Sequence, residues 1–101
     1  MKNIPKSFRI GGRTWNVIFK DTVDDGCSYA KMYDVPGEIH IARNVLSEDV
    51  IKPCDEYTNE HSFWHELGHV MQYYATGATD EPTAQSFASF MMEFNKSKIF
   101  K

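Results

Sequence analysis

Residues 58–76 read TNEHSFWHELGHVMQYYAT, and the apolar spacing of this stretch decides the fold. Phe63, Leu67, Val70, Met71 and Tyr74 fall at i, i+4, i+7, i+8 and i+11, one apolar stripe on a helix. Thr58 or Asn59 is suited to cap its start, and Gly77 to end it in a left-handed conformation. Working forward, Thr79-Asp80-Glu81-Pro82 opens a second helix, with Pro82 tolerated in the first turn. Ala84, Phe87, Ala88, Met91 and Phe94 form its inward stripe, and Ile99, Phe100 and Lys101 are expected to fray.

Working backward, the period changes near residue 57. Ser7 to Ile10 leads into Gly11-Gly12, a hairpin dipeptide, and Thr14 to Phe19 follows, rich in β-branched and aromatic residues. Asp24-Asp25-Gly26 breaks the pattern, Cys27 to Tyr33 is a weaker strand, and Pro36-Gly37 is a turn. Glu38 to Ile41 alternates polar and apolar as a half-buried strand does. Residues 43 to 57 are ambiguous: Ser47 could cap a short helix through Ile51 that Pro53 would end. The expected class is α+β: a small antiparallel sheet of three to four strands, then two helices. It forms one domain over residues 1–101, a length below that at which chains split.

Composition narrows the function classes. Apolar residues make up 42% and charged residues 25%, ordinary globular values that argue against disorder. The net charge of -3 speaks against a nucleic-acid surface. No apolar run approaches the ~20 residues of a membrane span, and the first residues lack the apolar core of a signal peptide. A soluble cytoplasmic protein is the expectation. Cys27 and Cys54 form no CxxC pair and read as small hydrophobes in a reducing compartment.

The chemistry lies in His65-Glu66-Leu67-Gly68-His69, an H-E-x-x-H pattern inside the first helix. Residues four apart project from one helix face, about 5–6 Å apart at Cβ. Two imidazoles can therefore converge on one Zn²⁺. Glu66 is turned by about 100° from His65, where it can act as general base toward a water on the metal. With Phe63 at zero on the same wheel, His65 and His69 lie near about 200° and 240°, away from the apolar stripe. His61 extends the ladder, but His61 and His69 are ~12 Å apart along the axis, too far to share an ion. Only the 65/69 pair has a glutamate in the water-activating position, so His61 is either an exposed first-turn residue or a group near the substrate.

A catalytic zinc needs a third protein ligand and an open position. Position 75, where a longer motif would supply histidine, is Ala75. Of Asp80, Glu81 and Glu93, Glu81 is favoured, because it shares the inward stripe of Ala84 and Ala88. If the first helix runs to Thr76, Glu81 falls about 10 Å beyond His69 along the axis. Either that helix unwinds after His69 or the second crosses it steeply. Tyr73 lies on the ligand side of the wheel, as a substrate-side phenol or as packing. Glu38 to Ile41 is one possible edge for strand addition by an extended peptide.

His65-Glu66-Leu67-Gly68-His69 followed by Glu81-Pro82-Thr83-Ala84-Gln85-Ser86-Phe87-Ala88 resembles the ImmA/IrrE-type zinc metallopeptidases, in which H-E-x-x-H precedes E-x-x-A-x-x-F-A. Ile4-Pro5-Lys6 and Gly11-Gly12-Arg13-Thr14 also look like the small phage-encoded members, a minimal gluzincin or zincin-like arrangement. The resemblance implies His65, His69 and Glu81 as zinc ligands, Glu66 as catalytic base, and a protein or peptide substrate inside a bacterial cell. Gln85 stands where the family often has Asn, and Pro82 directly after the ligand is a further departure. Larger members carry a DNA-binding domain, which this chain is expected to lack. A chain this small is expected to draw selectivity from one cleft or from a protein partner. The competing reading is a zinc-binding interaction module without turnover. A purely structural zinc domain would need four protein ligands, more than this pattern supplies.

Overall fold

The computed structural model describes residues 3–99. Phe100 and Lys101, expected to fray, lie outside the described residues, and Ile99 is almost fully exposed. Six strands precede two helices: β1 Ser7–Ile10, β2 Arg13–Lys20, β3 Ala30–Tyr33, β4 Glu38–Ala42, β5 Asn44–Ser47, β6 Val50–Pro53, α1 Glu56–Thr76 and α2 Glu81–Ser97. A 3-10 turn at Asp24–Gly26 lies between β2 and β3. The α+β class holds, with the helices following the sheet as expected.

The sheet is mixed, not antiparallel throughout. Its order is β1-β2-β4-β3, and β2 pairs with β4 in parallel, Val17 opposite Ile39 and Phe19 opposite Ile41. The physical reason is burial. Ile39, Ile41 and Ala42 are fully buried, so β4 takes a central place, and β3 is displaced to the edge. Glu38 to Ile41 is therefore not an edge; the edge strands of this sheet are β1 and β3, and β3 is the one beside α1. The β1–β2 hairpin turns at Gly11-Gly12, both at positive φ. A Cβ on Gly11 would stand 2.5 Å from the Tyr74 ring, so the turn also requires glycine for packing.

Residues 44–53, ambiguous in sequence with a short helix as one option, form a hairpin. Ser47 pairs with Val50 across a two-residue turn, Glu48-Asp49, with both residues at positive φ. That is the backbone of a tight hairpin, and the β-branched Val45, Val50 and Ile51 favour strand over helix. Cys27 is exposed rather than buried; it and Cys54 are free thiols.

α1 starts earlier than expected, because the Asp55 carboxylate accepts the Thr58 N–H at 2.7 Å and caps the helix. It ends at Gly77, in the left-handed conformation expected there. α1 packs on β3 and β4, and Phe63 and Val70 join Trp15, Ile39 and Ile41 as the fully buried core. Each such aliphatic or Phe side chain contributes about 1.5–3 kcal/mol by burial. Met71 and Tyr74 are partly exposed, with the Tyr74 ring edge-on to Trp15 at 6.4 Å. No helix among the described residues is long and apolar enough to cross a membrane.

Candidate metal centre

α1 is continuous from Glu56 to Thr76, so the helix does not unwind after His69. The chain instead reverses through residues 77–80, and α2 packs closely back on α1. The two helices come close at Gly68, where a Cβ would meet the Phe87 ring at 3.1 Å and the Ala84 backbone at 3.3 Å. Ala84 and Ala88 are fully buried there. Small residues on both helices thus let the start of α2 reach the histidines.

That start is held by a second cap. The Asp80 carboxylate accepts the Thr83 N–H at 2.8 Å and the Gln72 amide at 2.9 Å. These bonds, the Thr83 amide first, hold the Asp80 carboxyl below its usual range. Asp80 is thereby spent as a cap. Pro82, whose missing N–H costs nothing in a first helical turn, fits without disturbing Glu81. Glu93 lines a different cavity, with Tyr57 and Lys96.

Glu81 bridges the two histidines. Its Oε2 lies 2.8 Å from His65 Nε2 and its Oε1 lies 2.8 Å from His69 Nε2. The ligating atoms of His65, Glu66 and His69 all lie within 4.8 Å of one another, a cluster able to hold a metal ion. The environment of His65 supports this. Its Nδ1 is 3.0 Å from Gln85 Oε1 while its Nε2 faces Glu81, so an acceptor stands on each side. Neutral imidazole has one N–H and cannot serve both. A second proton or a cation at Nε2 satisfies the arrangement. Two imidazoles and carboxylate oxygen form a donor set that divalent zinc accepts. Nδ1 of His69 is sealed from solvent without a hydrogen-bond partner.

Glu66 is buried at 9% exposure. Burial pushes its carboxyl above the usual range; His69, His65 and a hydrogen bond from the Met32 backbone pull the other way. Glu66, the histidines and Glu81 all line one open cavity of about 550 Å³. Its opposite wall is β3, through Ala30, Lys31 and Met32, together with Tyr29. Lys31 is paired with Asp24 at 3.3 Å on that wall, and Ser28 donates to Asp24 at 2.7 Å.

His61 also lines this cavity. Burial, and then the neighbouring His65, hold its imidazole below the usual basicity. Tyr73 is 40% exposed, with its ring edge-on to Tyr74 at 6.0 Å, and is not among the residues lining the cavity. Gln85 and Tyr29 enter the site without having been singled out as functional by sequence. The signal for Gln85 was present: it stands four residues after Glu81, on the same helical face.

Comparison of the chain with family models, with curated proteins and with solved structures found no match.

Proposed function

We propose that this chain is a zinc-dependent peptidase of the ImmA/IrrE type, with His65, His69 and Glu81 holding the metal and Glu66 as general base. The observation that carries the reading is the Glu81 carboxylate, one oxygen 2.8 Å from each histidine Nε2, beside a buried glutamate in an open cavity. When bound, zinc supplies Lewis acidity toward a peptide carbonyl and acidifies water. The residues of the chain do the rest. Glu66, its carboxyl raised by burial, is suited to take a proton from the attacking water and return it to the leaving amine. The free edge of β3 offers backbone groups to an extended peptide by strand addition. Gln85 accepts from His65 Nδ1–H and fixes that ring.

The resemblance extends the proposal to a protein substrate in the cytoplasm of a bacterial or phage-infected cell, with selectivity drawn from the cavity or from a protein partner. The test is metal content of protein purified without chelator, with cleavage of denatured protein substrates alongside. Wild type is expected to hold one zinc per chain, with His65→Ala and Glu81→Ala losing it. Glu66→Gln should keep zinc and lose cleavage. Zinc-free wild type overturns the metal reading. Full zinc retention by Glu81→Ala overturns the third ligand alone. Zinc-loaded wild type without turnover, with Glu66→Gln retaining biological activity, favours an interaction module on the same fold.

A further inference from the structure

A hydrogen-bonded chain runs from the metal centre into the cavity wall through one amide. Gln85 Oε1 lies 3.0 Å from His65 Nδ1, and Gln85 Nε2 lies 3.4 Å from His61 Nε2. An amide has one accepting and one donating end, so these contacts are not independent. With a metal ion on His65 Nε2, the imidazole proton sits on Nδ1 and needs an acceptor. Gln85 Oε1 supplies it, which turns the Gln85 NH2 toward His61. His61 Nε2 must then present its lone pair, and the His61 proton moves to Nδ1. Turning the amide round would set its NH2 against the N–H of His65, with no acceptor between them. His61 Nδ1 has no hydrogen-bond partner among the described residues, and His61 lines the cavity beside the metal ligands.

We propose that Gln85 is a positioning residue through which the metal centre sets the tautomer of His61, so that His61 meets an occupant of the cavity as an Nδ1–H donor. The matching occupant is an oxygen acceptor, the carbonyl or carboxylate of a peptide. This inference rests on the reading of His65 as a metal ligand. It makes His61 a fixed donor rather than an indifferent neighbour.

Long-range proton–nitrogen spectra of the histidine rings in full-length, zinc-loaded, nitrogen-15-labelled protein test it, with zinc content measured on the same samples. In wild type, His61 is expected to carry its proton on Nδ1, as His65 does. Gln85→Glu still accepts from His65 Nδ1–H, so zinc stays, but a carboxylate offers no donor and the His61 proton moves to Nε2. Gln85→Met removes both contacts, releases His61 and weakens zinc binding roughly 10–100-fold. One equivalent of zinc with His61 protonated on Nε2 in wild type overturns the bridge alone. So does a His61 signal identical in wild type and both variants. A wild-type preparation without zinc overturns the metal reading, and this proposal with it.

Discussion

A carboxyl group that burial keeps above its usual range opposes folding whenever it is ionised. For Glu66 the sign is fixed by linkage. Between its unfolded value, near 4.5, and its raised folded value, the native state holds a proton that the unfolded chain has released. Stability of the metal-free protein therefore falls as pH rises through that window. Glu66→Gln removes the ionisation, so in chelator it should melt above wild type at pH 8, with the gap shrinking toward pH 4.5. Thermal melts at the two pH values check this, and a gap of constant size would contradict it. At this scale the motif was readable because helical spacing is local: His65, Glu66 and His69 depend only on neighbours four residues away. Tyr73 shows where that logic ends. A wheel gives direction around the axis, but Tyr73 lies about 6 Å further along it than His69, outside the cavity lining.

Among the elements, the junction of α1 with α2 carries the site. The stripe of Ala84 and Ala88 predicted the contact, and Glu81 followed from it. Gly68 was the unread half of the same junction: inside H-E-x-x-H its position is variable, and only the approach of Phe87 and Ala84 shows what it does. Gly68→Leu should force the helices apart, at about 1–3 kcal/mol for overpacking. That exceeds or matches the gain of about 1 kcal/mol from replacing a helical glycine. At roughly 4–8 °C per kcal/mol for a domain of this size, a melt resolves the net effect. Zinc affinity should fall as well, since Glu81 moves with α2. Unchanged zinc affinity would uncouple the junction from the centre. The strand pairing was less legible than the helices. Alternation identifies a strand but not its neighbour, so the parallel β2–β4 pair and the β3 edge needed the long-range burial of Ile39 and Ile41. In the β5–β6 hairpin, Ser47 and Pro53 are boundary residues for helix and strand alike, and the Glu48-Asp49 turn was decided by backbone geometry.

At the scale of the molecule, the largest fully buried side chains among the described residues are Trp15, Phe63, Ile39, Ile41 and Val70. The metal reading makes zinc a further tie between α1 and α2, and a ligand that binds only the folded state stabilises it by about 2.7 kcal/mol at a hundred times its Kd. A chelator should lower the melting temperature of wild type and leave His65→Ala unmoved. An equal shift in both would count against a folded-state site. The Glu81 side chain is 76% exposed, whereas that of His69 is 9% exposed. On the metal reading, the centre has a wet side and a dry side, and an ion is expected to leave across the Glu81 face without opening the core. Zinc should leave to an added chelator at a rate that stabilising osmolytes barely change, while global unfolding slows in the same solutions.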